Sequence, residues 1–317
     1  MIKRFYALLA FFVAFLPFFG SAQNYVWAKG EGGIGNDNAS AITVDEQGNS
    51  YITGNLAGKI NFSGTEYEGR GVFDVFITKY DNNGNIDWVK TAGGKQNDLG
   101  KAIKYWNGAL YLAGVFEDTA YIENTMLISK GEADLFVSKY DMDGNLVWVK
   151  QAGGTQNDFL SGMDVDDDGN IVVAGNYESS ISFDTLVRNT NNLFGESYIA
   201  KYSNNGDVLW AKTVVGTNTN LTTDIAYDNN GGYLITGFFS GNYNLGGSSI
   251  SSSTQSYDIL IGKLDKNGNT VWLKKAGSIA EDAAQAICAD KDGNAFITGY
   301  FTRTATFDNN SIDYLDY

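Results

Sequence analysis

A tryptophan-centred segment comes round five times in this chain and limits what it can fold into. It reads VWAKG at Val26–Gly30, DWVKTAGG at Asp87–Gly94, VWVKQAGG at Val147–Gly154, LWAKTVVG at Leu209–Gly216 and VWLKKAGS at Val271–Ser278. Trp27, Trp88, Trp148, Trp210 and Trp272 follow one another at spacings of 61, 60, 62 and 62 residues. A period this regular marks a repeat architecture, in which each unit buries its apolar face on the next.

Every unit continues in the same order after its tryptophan. A glycine-rich connection ends in an acid at Asp37, Asp98, Asp158 and Asp282, ten residues after the respective tryptophan; the fourth unit has Asn220 there. A short apolar strand, an Asp-x-x-Gly turn and a second strand follow, as in Ser40–Gly54. A variable polar stretch leads to a third strand (Asp74–Tyr80, Asp134–Tyr140, Glu196–Tyr202, Asp258–Leu264), and a tight turn returns to the next tryptophan. The segments alternate apolar and polar residues and are rich in β-branched and aromatic side chains, which is strand chemistry. Gly84, Gly144, Gly206 and Gly268 suit the positive-φ positions of hairpin turns. Each unit of about 60 residues is therefore expected to be four antiparallel strands. The fold class is all-β, a β-propeller of about four and a half to five units, with the last one incomplete. A β-solenoid is the other repeat form, but its coils are about 20–30 residues long.

The start of the chain reads as a signal peptide over residues 1–22. Lys3 and Arg4 precede the apolar run Phe5–Phe19, and Gly20-Ser21-Ala22 gives a small-residue cleavage site. Residues 23–317 would form the repeat domain, exported to the extracellular space, outer cell surface or periplasm. No membrane span is expected once the signal is removed. The net charge of −15 is unsuited to nucleic acid or anionic lipid. With no histidine, the commonest general base and transition-metal ligand is missing. The single cysteine, Cys288, rules out an internal disulfide and reads as a buried, inert thiol in an innermost strand.

The run SAITVDEQGNSYITGNLAG at Ser40–Gly58, followed by DVFITKYDNNGNIDWVKTAGG at Asp74–Gly94, resembles the bacterial SBBP ("seven-bladed β-propeller") repeat. The resemblance extends over about residues 24 to 310. It implies a propeller fold and a secreted or surface protein, without assigning a ligand.

Several residues stand out as candidate sites. The five periodic tryptophans suit packing between neighbouring sheets, with sugar stacking as the alternative. Trp106 lies off the register in YWNG and reads as an exposed aromatic on a turn, a surface residue without a role or, as the alternative, a contact for a sugar or partner. Asp37, Asp98, Asp158 and Asp282 suit carboxylates that accept backbone N–H bonds at the crossing, or an acidic ring at one end of the channel. Asp164, Asp166 and Asp168 spell D-x-D-x-D-G, the opening of a calcium loop, but Gly175 occupies the twelfth position, where such a loop needs glutamate. The run therefore reads first as an acidic hairpin turn; calcium is the one ion the sequence raises, and no cofactor is expected.

These features favour a non-catalytic module that binds a protein or polysaccharide at the cell surface. Its specificity is expected in the variable connections Leu56–Val72, Glu117–Ala133 and Glu178–Gly195. A carbohydrate-active or quinoprotein-like propeller enzyme is the competing class, with Asp98 and Asp158 as the carboxylate pair facing each other across the channel mouth. A third reading is an architectural spacer in a larger surface protein. The last unit is expected to lack its third strand within this sequence and to be completed by residues beyond Tyr317.

Overall fold

A computed structural model describes residues 27–253 and 256–313. The leader expected over residues 1–22 lies outside them. Among the described residues, all regular structure is β-strand, and no helix is long and apolar enough to cross a membrane.

The repeat folds as consecutive antiparallel meanders. In the first unit Asn38–Val44, Ser50–Leu56, Asp74–Tyr80 and Ile86–Gly94 pair in chain order. The second unit uses Asp98–Trp106, Ala109–Ile122, Thr125–Tyr140 and Leu146–Gly153. The third uses Asp158–Val165, Ile171–Tyr177, Glu196–Tyr202 and Val208–Thr213, and the fourth Asn220–Tyr227, Tyr233–Phe239, Asp258–Leu264 and Thr270–Gly277. Ala283–Ala289 and Ala295–Tyr300 begin a fifth. The tryptophan strand is the fourth of its unit, with Trp88 opposite Lys79, Trp148 opposite Lys139 and Trp210 opposite Lys201.

The turns follow from the Asp-x-x-Gly-Asn sequence. Asp81 Oδ1 accepts the amides of Asn83 at 2.9 Å and Asn85 at 2.7 Å, and Asp81 Oδ2 accepts Asn85 Nδ2 at 2.9 Å. Gly84 closes the turn at φ 80°. The same bonding recurs at Asp45, Asp141, Asp265 and Asp290. A carboxylate that satisfies two turn amides leaves the chain little choice of conformation there.

Neighbouring units meet through first strands and tryptophans. First strands lie side by side along the series, and some are braced by side chains that accept an amide of the next unit. Thr43 Oγ1 accepts Tyr105 N at 3.0 Å, Asp164 Oδ2 accepts Tyr227 N at 2.8 Å, and Asp224 Oδ2 accepts Ile287 N at 2.9 Å. Trp27, Trp88, Trp148 and Trp210 each lie across a turn of the following unit, against Gly84, Gly144, Gly206 and Gly268. Trp88, Trp148 and Trp210 donate Nε1–H to Met142 O, Asn204 O and Lys266 O at 3.2, 3.1 and 3.2 Å. The ring lies so close that a Cβ on Gly206 would be 3.0 Å from Trp148. The tryptophans are half-buried, and the largest fully buried side chains are tyrosines and phenylalanines such as Tyr51, Tyr111, Phe136 and Phe183. The rings thus bridge units at their rim, while the tyrosines and phenylalanines fill the space between sheets.

The stretches between second and third strands differ from the loops expected of them. Each contains a short hairpin: Lys59–Phe62 with Thr65–Glu68, Ser180–Phe183 with Leu186–Asn189, Asn242–Leu245 with Ser248–Ser251, and Ala305–Phe307 with Asn310–Ile312. In the second unit the two long strands extend to form it. The tips take left-handed conformations, with φ 48° at Ser63, 51° at Glu123 and 53° at Asp184, as tight two-residue turns require. The hairpins then pair with the tryptophan strand of the preceding unit or with the short strand that continues it: Gly93 with Tyr121, Gly153 with Ser182, Gly277 with Thr306, and, on the continuing strands, Gly32 with Asn61 and Gly216 with Tyr243. Each hairpin belongs to one unit by sequence and straps the previous one by hydrogen bonding.

Candidate functional site: the connection face and the unit junctions

The glycine-rich connections carry their acids to the places where units join. Asp98 Oδ2 accepts Gly94 N at 2.6 Å and Asp158 Oδ2 accepts Gly154 N at 2.6 Å. Asp282 accepts the amides of Ser278 at 2.5 Å and Thr302 at 3.1 Å, and Asp37 those of Gly33 at 2.7 Å and Ala57 at 3.0 Å. Asp98, Asp158 and Asp282 are buried and Asp37 is half-buried. The buried three fix the crossing and do not offer a surface ring. Nor do Asp98 and Asp158 line an open channel mouth, since each is enclosed in its own junction.

Asp98, Asp158 and Asp282, and Asn220 in the fourth unit, each have a neighbour that spacing alone does not reveal, the residue that opens the preceding unit's third strand. Asp74, Asp134, Glu196 and Asp258 are all buried at the junctions. Asp74 Oδ2 accepts the amides of Arg70 and Gly71 at 2.7 and 2.9 Å. Asp134 Oδ2 accepts Gln151 Nε2 at 2.7 Å and Lys130 N at 3.2 Å. The Oδ1 atoms of Asp74, Asp98, Asp134 and Asp158 have no hydrogen-bond partner among the described residues. Burial, reinforced by Asp74, pushes Asp98 up to about 7. Burial, reinforced by Asp134, pushes Asp158 up to about 8. Burial also raises Asp74 and Asp134.

The hairpin exits rest on the crossing turns: Asp98 N donates to Phe73 O and Asp282 N to Tyr257 O, both at 2.9 Å. The third unit's exit is held by Thr190 Oγ1, which accepts Asn192 N at 2.9 Å, and by Asn192 Nδ2, which donates to Asn218 O at 2.8 Å. The next two residues project from this support: Leu193 is 97% and Phe194 63% exposed. Val215, on the connection beside it, is 64% exposed.

The D-x-D-x-D-G run is split among separate tasks. Asp164 pairs with Lys104 Nζ at 3.0 Å and braces the next unit through Tyr227 N. Asp166 closes its own turn through Asn170 N at 2.9 Å and binds Lys201 Nζ at 2.8 Å and Tyr233 Oη at 2.9 Å; these donors hold its carboxyl below the ordinary range despite burial. Asp168 lines a groove of about 320 Å³ between the third and fourth units, together with Trp210, Tyr227, Lys201 and Lys266. Among the described residues, no three acids, histidines or cysteines converge in a way that could hold a metal ion.

Two further expectations change. Trp106 is half-buried against Gly169, whose Cβ would lie 2.5 Å from the ring, so it joins the second unit to the third. Strand-turn position, not solvent exposure, governs that residue. Cys288 is exposed: Ile287 takes the core side of its strand, and alternation turns the thiol outward into a cleft lined also by Lys101, Asp164 and Asp224.

No family model matches the chain. It is 22% identical over 336 residues to an uncharacterized WD repeat-containing protein, L264, of Acanthamoeba polyphaga mimivirus, which covers 83% of this chain and 24% of that protein. It is 24% identical over 251 residues to the regulatory protein FlaEY of Caulobacter vibrioides, covering 72% and 26%. The chain thus spans about a quarter of the length of these curated relatives. Among solved structures, the WD40 domain of Neurospora crassa Pan2 matches with a TM-score of 0.33 at 12% identity, covering 88% of this chain and 92% of that one. A mutant of the GH43 protein BlXynB from Bacillus licheniformis matches with a TM-score of 0.31 at 12% identity, covering 82% and 47%. The meanders strapped in series and the likeness to a WD-repeat protein together describe an all-β repeat protein of the β-propeller kind.

Proposed function

We propose that the chain is an exported, non-catalytic β-propeller of four-stranded blades that binds a protein partner through its connection face. The SBBP-like repeat and the signal-like N-terminus support export. The observation that carries the binding assignment is the Leu193–Phe194 tip, two large apolar side chains projecting from a turn held by Asn192. Exposed apolar residues on a rigid mount form a contact at low entropic cost. The partner should be sought among surface and exported proteins and its affinity for the immobilised full chain measured. Changing Leu193 and Phe194 to serine should weaken it at least about tenfold, as loss of two anchor residues does. Equal affinity for both proteins would reject this contact.

A second reading, polysaccharide binding, is favoured by the groove beside Trp210. Its aromatic rings, Asp168 and Lys266 combine stacking with polar contacts, as a sugar site needs. On a glycan array, any signal from this groove should disappear in a Lys266→Ala, Asp168→Ala double variant; a signal that persists places the sugar elsewhere.

A further inference from the structure

Four junctions join the five units, and they balance their buried charge in different ways. Between the third and fourth units an acid meets an amide at Gly216: its N–H donates to Glu196 Oε1 at 3.2 Å, and a Cβ there would stand 1.7 Å from Asn220 Nδ2. Between the fourth and fifth, Asp258 and Asp282 have Lys275 Nζ 3.4 Å from Asp258 Oδ2. Each of these junctions carries one formal negative charge. The first two junctions, Asp74 with Asp98 and Asp134 with Asp158, have two acids each. Among the described residues, no lysine or arginine forms an ion pair with any of the four.

Two buried carboxylates this close cannot both stay ionised without a counter-charge. A point at the Cβ position of Gly93 lies 2.2 Å from Asp74 Oδ1 and 2.8 Å from Asp98 Oδ2, so those oxygens are at most 5.0 Å apart. In the second junction the two acids grip adjacent residues: a point at the Cβ position of Gly153 lies 2.4 Å from each Asp134 oxygen, and the next amide, Gly154 N, donates to Asp158 Oδ2 at 2.6 Å. The Oδ1 atoms of the four acids are unpartnered, as are Asp258 Oδ1 and Asn220 Oδ1 at the other two junctions; where two acids meet without a cation, a carboxylic O–H supplies a donor. Asn220 already has this form, since its amide is the near-isostere of a protonated aspartic acid.

We infer that each of the first two junctions binds one proton, shared between its two carboxyl groups, and that losing this proton loosens the union of the first three units. The count then matches the other junctions, at one negative charge apiece. The groups facing the pairs leave that charge in place. Asp98 faces the amides of Gly94 and Glu117 and the carboxylate of Glu117; Asp74 faces Arg70 and the Gly71 amide. Asp158 faces the Gly154 amide, Lys130 and Glu178; Asp134 faces Gln151 and Lys130. Arg70 and Lys130 act at a distance and offset only part of the effect.

The sign follows from linkage. A carboxyl raised in the folded state binds more protons folded than unfolded, so stability is greatest near the unfolded value of 3.8 and falls as pH rises through about 7 at Asp98 and about 8 at Asp158. The test is a set of thermal melts of the full chain between pH 5 and pH 9. The parent's Tm should fall by roughly 5 °C or more over that range. The Asp98→Asn, Asp158→Asn double variant should flatten the fall and melt above the parent at pH 9. Asn220→Asp, which installs a third acid pair, should melt close to the parent at pH 5 and clearly below it at pH 9; this variant decides the matter even if the double variant fails to fold. Parallel curves for parent and double variant would overturn the inference, as would an Asn220→Asp penalty equal at both pH values. So would a rise in parental Tm with millimolar calcium at pH 9 that the double variant lacks, because the pairs would then be cation sites.

Discussion

Replacing Trp148 by alanine is expected to cost about 3 kcal/mol of stability, within the range for emptying a large aromatic site. The ring stands 6.4 Å from Tyr111 in its own unit and covers Gly206 in the next. Its removal opens a hollow at a junction the chain cannot close by local collapse, because two separate sheets form the walls. It also strands Asn204 O, which loses the Nε1–H donor at 3.1 Å. Trp148→Phe should recover most of the packing and still lose about 1 kcal/mol for the missing hydrogen bond. Denaturant unfolding of both variants checks the order. An alanine variant as stable as the parent would mean that the ring lies on the surface and packs nothing.

Gly154→Ala is expected to cost at least about 3 kcal/mol, more than ordinary overpacking, because the obstacle is backbone. A Cβ there would stand 1.7 Å from Ser180 O and 2.5 Å from Ser180 C. To admit it, the Ser180–Phe183 hairpin must leave the tryptophan strand, and Asp158 must give up its bond to Gly154 N. Gly30→Ala is the control: nothing lies within 4 Å of a Cβ at Gly30, so the change should stay within about 0.5 kcal/mol. If both substitutions cost the same, the strap is not holding the units together.

Much of the fold was legible in the sequence because its determinants are local. Asp81, Gly84 and Asn85 form their turn from five consecutive residues, and strand alternation is a period of two. The straps were hidden because a hairpin at Ser180–Asn189 looks the same in sequence whether it hangs free or pairs with Gly153 in another unit. A signal was present nonetheless: the two-residue tips Ser63-Gly64, Glu123-Asn124 and Asp184-Thr185 all follow an apolar anchor at Phe62, Ile122 or Phe183. The acid pairs were hidden for a similar reason. Asp74 and Asp98 are recognisable separately as repeated acids, but their apposition depends on how one unit meets the next. Trp106 and Cys288 depart from the exposure their segments suggest because their burial is set by neighbouring units and strand facing, which a single segment does not encode.

The most direct test of the proposed role is to follow one bound partner through an incubation with the full chain and account for it afterwards. A binding module predicts saturable, stoichiometric association, with the partner recovered chemically unchanged after many dissociation lifetimes. Release of new reducing ends or of an oxidised product, increasing with time at substoichiometric protein and lost in Asp98→Asn, would contradict it and make the junction acids catalytic.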